Sequence, residues 1–166
     1  MNRLISAGTC AASLVLLATN TFAAGSLSAS REVIVDRPPA TVWKLLGAFD
    51  SLDVWLPPVV TSTSTGAATE PGAIRVLVLG DSASVTEKLV AYSSARRSYS
   101  YAFVKSPLPV KNYVATLELS EAPQGKTLVR WHSTFDAAGA SDDQAKEAIL
   151  GIYDVGLAKV AAIFRK

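Results

Sequence analysis

The chain has 166 residues, 49% of them apolar, with 16 Lys and Arg against 14 Asp and Glu, a formal net charge of +2. So even a balance, without any block of like charge, excludes the basic face that nucleic acid requires and a polybasic membrane anchor. One cysteine (Cys10) and one histidine (His132) exclude an intrachain disulfide and a multi-histidine zinc site.

At the N-terminus, Met1-Asn2-Arg3 carries a single positive charge. An apolar stretch, Leu4–Ala18, follows, and then Thr21-Phe22-Ala23 with small residues first and third. That order predicts a secretory signal peptide over residues 1–23, cleaved near Ala23, and hence a periplasmic or secreted protein. The apolar run is shorter than the roughly 20 residues of a membrane span, so no stable membrane anchor is expected. Cys10, preceded by Thr9 and lying ahead of the densest apolar part, fits a lipoprotein site poorly. Removing residues 1–23 takes away Arg3 and the only cysteine but no acidic residue, so the net charge falls to +1 and no thiol remains. Residues 24–166 have a comfortable length for a single domain with one core.

Leu27–Val35 reads as a strand, ended by Asp36-Arg37-Pro38-Pro39. Ala40–Ala48 carries Val42, Trp43, Leu45 and Leu46 as a helical stripe, with proline tolerated at its start. A second short helix, Leu52–Leu56, is stopped by Pro57-Pro58. The period then changes to two. Val59–Ser64, Ala73–Leu79, Ser84–Ser93, Ser98–Val104, Asn112–Ser120 and Thr127–Ala137 are six further strands, separated by turns rich in Gly, Pro, Asp and Ser. Ser141 with Gln144 three residues on makes a capping box, and Asp142 and Asp143 suit the positive end of a helix dipole. The long helix that follows places Ala145, Ala148, Ile149, Ile152, Gly156, Val160 and Ile163 on one face. The order predicts an α+β fold: a curved, seven-stranded antiparallel sheet around a long C-terminal helix.

Strand alternation sorts the side chains. Val85, Glu87 and Leu89 face inward against Thr86 and Lys88. Val129, Trp131, Ser133 and Phe135 face inward, with Arg130, His132 and Asp136 outside. Tyr99, Tyr101 and Phe103 share a face, as do Tyr113, Ala115 and Leu117, and Arg75, Leu77 and Leu79 form a further set. The inward set holds a carboxylate, three phenols, a hydroxyl and a guanidinium. A dry core rarely carries so much buried polarity, so a water-containing cavity is expected; the alternative is a structural Arg75–Glu87 ion pair. His132 reads as a surface residue, and Trp43 and Trp55 as packing between helices and sheet.

Pro71-Gly72-Ala73-Ile74-Arg75-Val76-Leu77-Val78-Leu79-Gly80, Thr86-Glu87-Lys88-Leu89, Ala95-Arg96-Arg97-Ser98-Tyr99-Ser100-Tyr101, Pro107-Leu108-Pro109-Val110-Lys111-Asn112-Tyr113 and Val129-Arg130-Trp131-His132-Ser133-Thr134-Phe135 together resemble the START-like (SRPBCC) superfamily, polyketide cyclase/dehydrase type. Pro38-Ala40-Val42-Trp43 with Phe49 and Trp55 is similar to its N-terminal signature. The resemblance spans Glu32–Phe164. It implies a helix-grip fold with a hydrophobic pocket. It also implies a gate at Gly80-Asp81-Ser82-Ala83 and a latch at Ser106-Pro107-Leu108-Pro109, as in the plant abscisic-acid receptors. The pocket lysine of those receptors falls near Val60 here, so the anchor for an acidic hormone is missing. Gly80 is expected to supply an unusual backbone angle in the gate, and the prolines to stiffen the latch.

From alternation and resemblance together, the expected ligand-binding residues are Trp55, Arg75, Leu77, Leu79, Glu87, Leu89, Tyr99, Tyr101, Phe103, Leu108, Tyr113, Ala115, Trp131, Ser133, Phe135, Ile152 and Gly156. They point to a binding protein for a small, largely apolar ligand: lipid-like, aromatic or polyketide-like. Two other functions stand beside this one. An aromatase/cyclase or dehydratase would use Glu87 as base, with Arg75 and Tyr113 stabilising an enolate oxygen. A periplasmic accessory protein would bind a polypeptide partner. No metal and no cofactor is expected.

Overall fold

A computed structural model describes residues 25–165; the signal segment predicted over residues 1–23 lies outside the described residues. The elements are β1 (Leu27–Val35), α1 (Pro39–Leu46), α2 (Leu52–Trp55), β2 (Val59–Thr65), β3 (Ile74–Leu79), β4 (Ser84–Ser93), β5 (Ser98–Lys105), β6 (Val110–Ala122), β7 (Lys126–Ala137) and α3 (Asp142–Ile163). Pro38 and Pro39 start α1 because a helix's first N–H groups have no internal acceptor to lose.

All seven strands pair antiparallel in the order β1-β7-β6-β5-β4-β3-β2, a meander from β2 to β7 with β1 added beyond β7. Irregularities in register bend the sheet. One, between Lys111 and Val114 on β6, contains Asn112 at φ 53. Its side-chain amide donates to Asp136 Oδ2 (2.8 Å), while Ser26 N–H and Oγ–H donate to Asp136 Oδ1 (2.8 and 2.9 Å). This clasp ties the entry into β1 to the β6 bulge, and a bulge re-aims the side chain that follows it, here Tyr113.

α3 lies across the concave face of the sheet. Ser141 Oγ accepts from the Gln144 N–H (3.3 Å) and Gln144 Oε1 accepts from the Ser141 N–H (3.0 Å), completing the predicted capping box. Ala145, Ile149, Gly156 and Val160 are buried as expected. The observed stripe departs from the expected one: Ala148 is only partly buried, and Leu157 is buried. Tyr153 is buried while Ile152 is only partly so, and Ile163 is 38% exposed while Phe164, just past the helix end, is buried. Phe164 lies four residues past Val160, with its N–H on the Val160 carbonyl (3.1 Å), so it continues the buried stripe where Ile163 turns outward.

Gly156 lets α3 sit tightly against Trp131 of β7 and Leu56. A Cβ there would lie 3.0 Å from Trp131 Cζ3 and 3.1 Å from Leu56 Cδ1. At the other edge of the helix, Arg31 of β1 pairs with Asp154 (Nε to Oδ1, 2.6 Å) on the surface.

Candidate functional site

Between sheet and helix is a cavity of about 180 Å³. α2 and the segment after it contribute Leu52, Leu56, Pro58 and Val59; β3 contributes Leu77 and Leu79; β4 contributes Val85 and Glu87. Tyr101 and Phe103 come from β5, Leu108 from the β5–β6 loop, Tyr113 from β6, Trp131 from β7, and Ile149 and Ile152 from α3. Strand pairing explains why these side chains meet. Glu87 lies opposite Phe103, Leu77 opposite Val85, and Leu117, one column over from Ala115 and Tyr113, opposite Trp131. Inward residues at i and i+2 then stack in rows on one face of the sheet.

Aromatic rings make much of the wall. Phe103 stacks on Tyr113 (3.9 Å between centroids), and Trp131 on Tyr153 (4.3 Å), with Trp55 edge-on to Trp131 (5.2 Å). Their polar atoms pair with one another: Trp131 Nε1–H donates to Tyr101 Oη (3.0 Å), and the Tyr113 and Tyr153 hydroxyls are 2.7 Å apart. Burial pushes the Tyr101 and Tyr113 phenols well above their ordinary pKa, and Tyr153 upward too, so all three are neutral hydroxyls.

Arg75 and Glu87 face each other across β3 and β4 and are 0% and 2% exposed. Arg75 Nε donates to Glu87 Oε2 (2.6 Å) and Nη2 lies 2.5 Å from the same oxygen, while Nη1 donates to the Phe49 carbonyl. The guanidinium carbon sits 4.1 Å from the Phe49 ring centroid and 5.1 Å from that of Tyr101. Burial raises the Glu87 carboxyl above its ordinary value, against the pull of Arg75. For Arg75, burial acts downward, but Glu87 and the neighbouring phenols outweigh it and hold the guanidinium above its ordinary value. Arg75 and Glu87 match the alternative that the sequence left open. They form a buried structural ion pair, with the guanidinium held behind the cavity wall and only the carboxylate reaching it.

Of the predicted binding residues, Leu77, Leu79, Glu87, Tyr101, Phe103, Leu108, Tyr113, Trp131 and Ile152 line the cavity. Trp55, Arg75, Leu89, Tyr99, Ala115, Ser133, Phe135 and Gly156 are buried around it without lining it. Ser133 Oγ, beside the Tyr153 phenol, is outside hydrogen-bonding geometry, and Trp55 Nε1 is likewise buried without an acceptor. The trio Glu87, Arg75 and Tyr113 is therefore not assembled around one reactive point: Arg75 is walled off, and the Tyr113 hydroxyl is engaged by Tyr153.

The alternation had already turned Val85 inward, and the helical period had placed Ile149. Tyr153 is the informative omission, since four residues past Ile149 is as good a continuation of the stripe as Ile152 three past it. Leu52, Leu56 and Pro58 had no such signal, because they come from a short helix and the turn after it, and Val59 is the first residue of β2, where alternation has barely begun.

Pro58, Leu79, Phe103, Leu108 and Ile152 keep some solvent exposure and mark the mouth of the cavity. There the β3–β4 turn is closed by Leu79 N–H to Ala83 O (2.8 Å), Ser82 N–H to Leu79 O (2.9 Å) and Ala83 N–H to Asp81 Oδ1 (3.0 Å). Its left-handed residue is Ser82, at φ 68, and not Gly80, which hydrogen-bonds to the Pro58 carbonyl (3.1 Å). In the β5–β6 loop the Leu108 N–H donates to Ser106 Oγ (3.1 Å). Val60 is 60% exposed at a β2 bulge, so that position faces solvent and the wall is made by its neighbour Val59. His132 is half-buried on the outer face of β7, 3.6 Å from Glu118 Oε1.

A family model described as polyketide cyclase/dehydrase and lipid transport matches residues 26–165. Among solved structures, the protein XoxI from Bacillus cereus is 30% identical with a TM-score of 0.78, over 82% of this chain and 94% of that one. An uncharacterized Bacillus thuringiensis protein is 29% identical at the same TM-score, over 83% and 98%. A Thermobifida fusca protein is 31% identical with a TM-score of 0.73, over 82% and 92%. No curated protein matches the chain.

Proposed function

Because the chain belongs to the polyketide cyclase/dehydrase and lipid transport family, an SRPBCC fold, we propose that it is an exported protein that encloses a small, largely apolar ligand between sheet and helix. The observation that carries this reading is the cavity wall. Fourteen of its fifteen residues are aliphatic or aromatic, and the one charged group, Glu87, is neutralised from behind by Arg75. Such a lining favours apolar surface through desolvation and leaves a few polar atoms to orient it. Binding is the role this supports: Arg75 engages one oxygen of Glu87 and leaves the other on the cavity side to orient a ligand.

Export follows from the signal-like order of residues 1–23, and the family match starts after it, at residue 26. The mature protein then begins at Ala24 and works in the periplasm or outside the cell.

The test is native mass spectrometry and solvent extraction of protein purified from its own host. A co-purifying apolar molecule in one-to-one ratio is expected, on a chain whose mass lacks Cys10. A stoichiometric polypeptide in place of a small molecule would favour an accessory role, and a chemically altered extract would favour an enzyme.

A further inference from the structure

The size and charge of the cavity narrow the ligand class. Its volume, about 180 Å³, is below the roughly 300 Å³ at which drug-sized sites begin. It is just above an engineered apolar cavity of about 150 Å³ that takes up benzene. One ring with one or two small substituents fills such a space. The rings of Phe103, Tyr101, Tyr113 and Trp131 in its wall suit an aromatic occupant.

Among the described residues, Glu87 is the only charged group of the wall. Its counter-charge is completely buried on the far side, directed at Glu87 Oε2 and the Phe49 carbonyl, so no cation faces the interior. A carboxylate ligand would lie near a second carboxylate with nothing to neutralise it. An ammonium ligand would approach a carboxylate whose charge Arg75 already balances. Either ion gives up its hydration with too little in return. A neutral hydroxyl does better. An ionised carboxylate accepts at about four lone-pair positions, and both Arg75 contacts fall on one oxygen, so Glu87 retains capacity for a donor.

We infer that the cavity takes one compact, uncharged aromatic molecule of about one ring that donates a hydrogen bond to Glu87, a phenol-like ligand, and excludes carboxylic acids and long-chain lipids. This rests on the ligand-enclosing reading above and narrows it.

The experiment is isothermal titration calorimetry at neutral pH with four probes of similar size (para-cresol, para-methylanisole, para-toluate and para-methylbenzylamine) and with palmitate. Para-cresol is expected to bind one-to-one. The anisole, lacking the donor, should bind about ten- to a hundredfold more weakly, as loss of a hydrogen bond to a charged group implies. Toluate and the amine should be at least about a hundredfold weaker than cresol. Val85→Phe, or Leu77→Phe should the first not fold, fills the cavity and should abolish cresol binding. Toluate or amine binding equal to cresol overturns the inference, as does cresol binding that survives a filled cavity. Palmitate binding without cresol binding overturns it while leaving the enclosing role intact. If neither binds, both fail.

Discussion

The Arg75–Glu87 pair behaves as a unit, because each ion is tolerable in the interior only through the other. Glu87→Gln keeps the shape but leaves the guanidinium without a counter-charge. It should cost about 3–5 kcal/mol of unfolding free energy in urea titrations. The double replacement Arg75→Met with Glu87→Leu removes both charges and should recover most of that loss. It should still fall short of the parent by about 1–3 kcal/mol, since the Phe49 carbonyl then loses its donor. A Glu87→Gln protein as stable as the parent would mean that the pair is solvated. Asp136 is a simpler case. Hydrogen bonds from Ser26 and Asn112 hold its carboxyl below its ordinary value of 3.8. A carboxyl depressed in the folded state adds stability above its unfolded pKa, about 3.9, and loses it as pH falls through the folded value. Asp136→Asn should therefore lose less stability than the parent between about pH 5 and about pH 3, read from urea midpoints across that range.

Among the elements, α3 holds two glycines that chemistry alone would treat alike. Gly151 is exposed, and a Cβ there meets nothing within 4 Å, so Gly151→Ala should gain about 0.5–1 kcal/mol from helix propensity. At Gly156 the same methyl would press on Trp131 and Leu56, so the propensity gain is offset and Gly156→Ala should be neutral or destabilising. Thermal denaturation of the two variants compares them directly; equal gains would mean that α3 does not seat against Trp131 as described. Tyr153, about one turn before Gly156, shows the same dependence on packing. It follows the helical period as well as Ile152 does, yet only the seat against Trp131 and Tyr113 decides which of the two turns in.

For the whole molecule, the question is how a ligand enters a cavity whose deeper wall is buried. The partly exposed residues of the lining include Leu79, at the start of the β3–β4 turn, and Leu108, in the β5–β6 loop. Loops that admit ligand open at lower free-energy cost than the strands they join. Leu108→Ala should therefore speed ligand release more than it lowers stability. Because Leu108 is only partly buried, its stability cost should fall below the roughly 2–5 kcal/mol of a core leucine. Stopped-flow dissociation of para-cresol, followed by tryptophan fluorescence, gives the off-rate, and a urea curve gives the stability. An unchanged off-rate, with amide exchange equally slow in both loops and in the flanking strands, would make the two segments ordinary turns and move the entrance elsewhere.

Much of this architecture was legible in the residues. Period-two runs broken by Gly, Pro, Asp and Ser marked the strands, the Ser141–Gln144 box marked the start of α3, and alternation named the inward side of nearly every strand, because those patterns are local and are read over a few residues. What turns an inward residue into a lining residue is not local. Leu89, Tyr99 and Phe135 share their faces with Glu87, Tyr101 and Trp131, yet pack into solid core while the latter border a space. Likewise, the sequence brought a carboxylate and a guanidinium to one side of the sheet, but their direct opposition across β3 and β4 made them a buried pair of which only the carboxylate reaches the cavity. Whether space remains between two packed layers depends on how all the side chains of both layers fill the gap, and only the tertiary structure sums them.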